Sequence, residues 1–266
     1  MPPKRSRSST PDQRKQLRID APADSGTFVD RPVICGWFKG LPRFKGCAEP
    51  VAGYTMINVC SDPRGPFSCL SPKLNDLGMV HFWDHDAAGR WRSYSAHNLE
   101  NFWQFSKVWP QDLDADGNIK PEWFALRDAG WASPVGKRWP RGRPRPARRP
   151  ASPRTPAPQK PKPKRATKHK NANKPLFCYW HGERLQYAEA RKAMYIPWYE
   201  HLARQHAKYA ELEARLAAGE RLQLVGFDAY DFSRSTLRAC LDDDSRPFGH
   251  EMVLAAMLLG ERPWCD

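Results

Sequence analysis

Residues 95–110 read SAHNLENFWQFSKVWP. Asn98 is a good helix cap and Pro110 cannot continue a helix, so the spacing predicts a helix over 98–109. Apolar side chains lie nearly all round it: Leu99, Phe102, Trp103, Phe105, Val108 and Trp109. A helix so apolar is mostly buried. Glu100, Gln104 and Lys107 sit at i, i+4 and i+7 and stack on one face. Two readings of this stripe stand side by side. It is either a solvated face with a Glu–Lys pair supported by Gln, or a carboxylate and an ammonium in one pocket, suited to acid–base work on a polar ligand.

Upstream of this helix the text is short and broken. VICGWF, GYTMINVC and GMVHFWDHD look like strands, and Gly/Pro clusters separate them. MVHFWDHDAAGRWRSYS has the form of a hairpin with AAGR as its loop. Downstream, DLDADGNIKPEW is a turn-rich loop, and PEWFALRDAGW is a short helix with Pro121 at its first position. Beyond Leu176 the apolar positions Tyr187, Met194, Trp198, Leu202, Tyr209, Leu212 and Leu216 fall near one stripe of a long helix. Pro197 should kink or split that helix, and Gly219 should end it. RLQLVGF (221–227) reads as a buried strand. Ser233 is placed to cap a short helix to Leu241, and PFGHEMVLAAMLLGE forms a final helix. The fold class is α+β, a mostly helical single domain with a small antiparallel β portion.

Charge divides the chain further. The net charge is +14, yet residues 137–174 hold 15 Lys/Arg and no Asp or Glu, and residues 1–18 carry +5. The remainder is therefore mildly acidic, at −6. The segment KRWPRGRPRPARRPASPRTPAPQKPKPKRATKHKNANK has no hydrophobic periodicity, and its prolines and like charges favour extended conformations. The expected organisation is a disordered basic tail at 1–27, the first part of an α+β domain at 28–136, a disordered basic Pro-rich insert at 137–174, and the second part of the same domain at 175–266. Arg141, Arg143, Arg145, Arg148, Arg149, Lys162, Lys164 and Arg165 are the candidate contacts to nucleic acid. Such binding would be sequence-blind and steeply salt-dependent. No aromatic lies between Trp139 and Phe177, so the insert offers no base stacking. PKRSR and KPKPKR also fit nuclear import signals.

No stretch approaches the ~18 apolar residues of a membrane helix, so no membrane partner is expected. The N-terminus lacks the apolar region of a secretory signal. The seven Cys form no CxxC pair. An intracellular, reducing location follows, nuclear in a eukaryotic host. DLDADG imitates the start of a calcium loop, but Trp123 stands where its glutamate is needed. His81 and His85 lack a third ligand at a recognisable spacing. Neither a metal nor a cofactor is expected.

Two further places carry candidate chemistry. Asp228 and Asp231 follow a buried strand directly, as active-site residues often do and as turn residues also do. Gly249 and His250 open the last helix, where free backbone N–H groups suit a phosphate, or where glycine allows close packing and histidine caps.

The motif Glu100-x-x-x-Gln104-x-x-Lys107 resembles the first signature of the NADAR family, with Phe67, Leu70 and Ser71 standing for its preceding stretch. Tyr187, Arg191 and Met194 are similar to its second helix, although Trp180 stands eleven residues ahead of Arg191 rather than immediately upstream. FDAYD resembles its late Asp-containing segment, and GHEMVLAAML its closing helix. The chain is also similar to viral and microbial proteins that read close to ENLWQFSKVY, EARKxIYxPLY and GHxxVLAxxL. The likeness spans most of residues 60–260. NADAR proteins are N-glycosidase-type enzymes acting on ADP-ribose linked to guanine or on N-glycosidic intermediates of riboflavin synthesis. The resemblance implies that Glu100 acts in glycosidic-bond cleavage, with Lys107 as its catalytic partner and anion holder. It further implies that Arg191 contacts anionic or sugar groups, with Trp103, Gln104, Asp228, Asp231, Gly249 and His250 around the ligand. The leading expectation is a hydrolase of an N-glycosidic bond in an ADP-ribosylated or phosphoribosyl nucleotide. The alternative is a non-enzymatic nucleic-acid-binding or packaging protein acting through its basic segments.

Overall fold

The computed structural model describes residues 31–37, 50–61, 65–136, 175–229, 236–244 and 247–265. The basic tail at 1–27 and the insert at 137–174, with Arg141, Arg143, Arg145, Arg148, Arg149, Lys162, Lys164 and Arg165, lie outside the described residues, as do Asp231 and Ser233. In chain order the strands are β1 (Val33–Trp37), β2 (Thr55–Asn58), β3 (Val80–His85), β4 (Trp91–Ala96), β5 (Lys107–Val108), β6 (Phe177–Trp180), β7 (Glu183–Leu185) and β8 (Leu222–Gly226). The helices are α1 (Leu99–Phe105), α2 (Pro121–Trp131), α3 (Tyr187–Ala190), α4 (Ile196–Arg204), α5 (Ala207–Ala217), α6 (Leu237–Asp242) and α7 (His250–Leu259). The fold is α+β.

All five residues of β8 are buried, the polar Gln223 among them, as a strand with a parallel neighbour on each side requires. The strand lies between β1 and β2 and runs parallel to both, with Cys35 and Ile57 on either side of Leu224. This parallel sheet corrects the expectation of an antiparallel β portion alone. Parallel neighbours need a long crossover, and the helices between β2 and β8 supply it. α7, apolar round nearly its whole circumference, lies across β1 and β8 and against α4.

The other two sheets are antiparallel. β3 and β4 form the hairpin, with Val80 opposite Ala96 and His85 opposite Trp91. β5, β6 and β7 form the second, with Lys107 opposite Cys178. The β6–β7 turn places His181 and Gly182 at φ 53° and 85°, the left-handed pair that a two-residue hairpin turn requires. Segments from before and after 137–174 thus share a ladder, and their side chains share one hydrophobic cluster. Phe82 sits at its aromatic centre, 4.8 Å from Phe102, 4.8 Å from Trp131 and 5.4 Å from Trp180 between ring centroids.

Three helical expectations change. α1 ends at Phe105, not Trp109, because the Ser106 hydroxyl donates back to the Phe102 carbonyl (2.8 Å) and Lys107–Val108 pairs with β6 instead. The long helix after Tyr187 is interrupted at Pro197, as expected, and divides once more. Pro197 has no N–H for the carbonyl one turn back, and the chain ahead of it widens into a π-helical turn at Arg191–Tyr195. The second division lies at His206, whose side chain accepts from the Lys208 N–H (3.0 Å) and starts α5. α6 is capped by Thr236, whose hydroxyl accepts from the Ala239 N–H, and not by Ser233. Among the described residues no helix is long and apolar enough to cross a membrane.

Candidate active site

α1, β5, the π-helical turn, the end of β8 and the start of α7 surround one cavity of about 470 Å³. The Asn98 side chain caps α1 by accepting from the Asn101 N–H (2.9 Å), which fixes where the helix begins. Glu100 and Gln104, one turn apart, then face the cavity together. Lys107 arrives from β5 rather than from the helix. The Gln104 amide joins all three: its NH₂ donates to Glu100 (2.9 Å) and its oxygen accepts from the Lys107 ammonium (3.0 Å). The stripe predicted for one helix face is thus preserved across the helix end.

The Lys107 ammonium is nearly buried and lies 4.7 Å from the Trp103 ring centroid and 5.6 Å from that of Tyr187. A cation held over ring faces gains from their quadrupoles. Trp123 holds the backbone of Lys107 by donating from its indole N–H to the carbonyl (3.1 Å). Behind Lys107, burial pushes the Cys178 thiol up to about 12, with the ammonium partly opposing the rise. Cys178 is therefore a packed thiol and not a nucleophile.

Asp228, Gly249 and His250 also line the cavity, as do Trp103, Trp109, Tyr187, Tyr195, Phe227 and Phe248. Arg191 does not. It is buried behind Tyr187, its guanidinium carbon 4.5 Å from that ring, and it donates to the carbonyls of Leu241 (3.0 Å) and Asp243 (2.8 Å). The implied contact of Arg191 with ligand is corrected accordingly: the arginine positions Tyr187 and ties the end of α6 to the π-helical turn.

Glu251 is the residue the motif reasoning missed. It is almost fully buried, accepts from the Asp228 N–H (2.7 Å), and stands 3.2 Å from His250 Nδ1. A Cβ added to Gly226 or Gly249 would fall within 2.0 Å and 2.3 Å of its carboxyl group, so two glycines make its space. Gly249 therefore serves close packing. The available signal was a carboxylate in the otherwise apolar run EMVLAAMLL. The local field is acidic: burial, then Glu100, Tyr199, Glu251 and Asp228, holds the Tyr195 phenol well above its usual range. Burial pulls the His250 imidazolium below its usual range, while its hydrogen bond to the Val59 carbonyl, then Asp228 and Glu100, oppose this.

The remaining candidates lie elsewhere. Asp114 accepts from the N–H groups of Asp116 (3.0 Å) and Asn118 (2.8 Å), the geometry of a side-chain-closed turn. His81 meets Ser95, and His85 packs on Trp91. Among the described residues no group of three His, Cys, Asp or Glu is placed to hold a metal ion. No family model, curated protein or solved structure matches the chain.

Proposed function

We propose that this cavity binds a nucleotide-like N-glycoside and hydrolyses its N-glycosidic bond. The observation that carries the reading is the Glu100–Gln104–Lys107 chain, an acid and a cation fixed to one amide in the wall of a cavity of about 470 Å³. That size suits a small-molecule ligand. The aromatic rings offer faces on which a base stacks. An oxocarbenium-like transition state is stabilised by a nearby carboxylate, and Glu100 and Asp228 are both at hand. Glu100 acts as the base that takes a proton from the attacking water, and Lys107 holds an anionic group of the substrate. The resemblance of the motif to the NADAR family supports the same bond, and within it ADP-ribose linked to guanine.

The test is Glu100→Gln, which keeps the shape and the partner Gln104. Release of ADP-ribose from ADP-ribosylated guanosine should fall by about 10² to 10⁴ while the melting temperature is retained. Wild-type protein inert on ADP-ribosylated and phosphoribosyl N-glycosides alike would sink the reading, as would a variant that loses stability and activity together.

A second reading, binding of nucleic acid through the basic segments, is favoured by one observation. Both described ends of the segment with 15 Lys/Arg reach the cavity rim: Gly136 lies against Lys73, and Lys73, Pro175 and Leu176 line the opening. The two readings join if an anionic polymer is the substrate carrier.

A further inference from the structure

We propose that the outward face of the β3–β4 hairpin binds single-stranded nucleic acid by stacking bases on Trp83 and Trp91. The inference goes beyond the N-glycosidase reading and does not need it. It shares with the second reading only the premise that this chain meets nucleic acid, and it names a different surface.

Along β3 the side chains alternate. Val80, Phe82 and Asp84 are buried, whereas His81 and Trp83 face solvent and His85 is half-buried. The register places Ser95, Ser93 and Trp91 of β4 opposite His81, Trp83 and His85, so these six share one face. An antiparallel strand with one face on the core normally carries polar groups on the other. Here the outer face carries two tryptophans, Trp83 61% and Trp91 52% exposed. They stand on a diagonal of the ladder, about 7–8 Å apart at the backbone, so each ring can take a base of its own. Large rings left open side by side on a sheet face mark a binding surface rather than a need of the core.

The platform is held in place before anything binds. The His85 ring lies 4.2 Å from the Trp91 ring and the His181 ring 5.1 Å from it, both steeply tilted to it. His181 is itself stacked on Trp180 at 4.1 Å, and its Nε2 donates to the Trp83 carbonyl (3.0 Å). With φ at 53°, His181 occupies a left-handed turn position that favours Asn or Gly. Histidine there supplies the ring that props Trp91 and ties the β6–β7 turn to the backbone of Trp83. Side chains fixed in advance lose little freedom when a ligand stacks on them.

Charge selects the occupant. At the hairpin tip the exposed Arg90 and Arg92 share one carboxylate, that of Asp86. Its other oxygen is taken by the N–H groups of Ala88 (2.9 Å) and Arg90 (3.0 Å). Two cations thus meet one anion folded into the turn, and a guanidinium has five N–H groups, enough to reach a phosphate as well. Neither strand places an Asp or Glu on the outer face, so a sugar finds no carboxylate there to accept from its hydroxyls. A nucleic-acid strand finds both of its partners, rings for the bases and cations for the phosphates. The 15 Lys/Arg of residues 137–174 add phosphate contacts but no ring, since no aromatic lies between Trp139 and Phe177. The hairpin supplies what that segment lacks.

Fluorescence anisotropy of the full-length protein tests this with a thymidine oligomer, an abasic oligomer of the same length and a duplex. The abasic strand keeps the phosphates and lacks the rings, so it reports the basic segments alone. Wild-type protein should bind the thymidine oligomer more tightly than the abasic one. Trp83→Ala and Trp91→Ala should each weaken thymidine-oligomer binding by about 5- to 150-fold, the range for one stacked base. Binding of the abasic oligomer and of the duplex, the salt slope and the melting temperature should stay as they are. Trp83→Phe, which keeps a ring, should retain most of the affinity. Because Trp91 packs on two imidazoles, Trp83→Ala decides the matter if Trp91→Ala lowers the melting temperature. A Trp83→Ala protein that binds the thymidine oligomer like wild type, or that loses equally on the abasic one, overturns the proposal. So does a wild-type protein with no preference between the two oligomers, which would leave the face to a protein partner. Wild-type protein that binds neither would end the second reading as well.

Discussion

At the scale of single residues, Gln104 and the two glycines beside Glu251 matter as much as the charged groups. Gln104 has one donor end and one acceptor end, and both are used, so its orientation is set by Glu100 and Lys107 together. Gly226 and Gly249 matter through what they lack. A methyl group at position 226 would lie 2.0 Å from the Glu251 carboxyl carbon, well inside contact distance. Gly226→Ala should therefore displace Glu251, break its bond to the Asp228 N–H, and destabilise the protein by about 1–3 kcal/mol, as overpacked sites do. Chemical denaturation measures the loss. A variant of unchanged stability would show that the carboxyl has room the structure does not give it. Of these residues the sequence made Glu100, Gln104, Lys107, Asp228 and His250 legible, because polar groups at helical spacing in apolar text, or just after a buried strand, stand out. Glu251 was not legible as a partner, because its role comes from two glycines that approach it from β8 and from the loop before α7.

At the scale of elements, the buried pair Asp84–Arg127 fastens hairpin, helix and turn together. Asp84 on β3 accepts from Arg127 on α2 (3.2 Å) and from the N–H of His181 in the β6–β7 turn (2.8 Å), and both charged side chains are fully buried. Arg127 is also 4.3 Å from the Trp131 ring centroid and donates to the His85 carbonyl (3.0 Å). Burial lifts the Asp84 carboxyl above its usual value, although its hydrogen bonds and Arg127 oppose this. A carboxyl so raised favours the fold most below its unfolded pKa, about 3.9, and that contribution is lost as pH rises through the folded value. Arg127→Met removes the main cation and raises the carboxyl further. The variant should be less stable by about 3–5 kcal/mol at neutral pH, and by less near pH 4, where Asp84 takes up a proton. Urea denaturation of both proteins across that range gives the comparison, and a deficit independent of pH would assign the loss to packing alone. Local sequence showed the hairpin and α2 but not this tie. Nor did it show β5, because a two-residue strand has no periodicity and exists only by pairing with β6.

At the scale of the whole molecule, the basic segment 137–174 and the net-negative remainder of the chain differ in charge, and of the residues that flank the segment Gly136 lies against Lys73 and Pro175 lines the cavity. The parallel placement of β8 between β1 and β2 was beyond the reach of local pattern, because pairing joins residues more than 160 positions apart. The charge division, by contrast, was plain from composition. It makes the last prediction specific. The 15 Lys/Arg of residues 137–174 can neutralise many phosphates, whereas the chain outside the two basic segments is net negative. Each phosphate neutralised releases counterion and adds roughly 0.9 to the slope of log affinity against log salt for duplex DNA. Full-length protein should therefore bind generic DNA with a steep slope, measurable by fluorescence anisotropy between about 50 and 200 mM salt. Joining Gly136 to Pro175 through a short flexible linker should abolish most of that affinity and flatten the slope. Thermal stability should hardly change, because β5 still pairs with β6 and the shared core is untouched. Cleavage of a mononucleotide substrate should also survive the deletion, while cleavage of the same glycoside carried on a DNA strand should weaken and lose its salt dependence. If the shortened protein binds DNA as tightly as the full chain, the globule itself reads nucleic acid, and the acidic surroundings of the cavity must be bridged by residues the charge division assigns elsewhere.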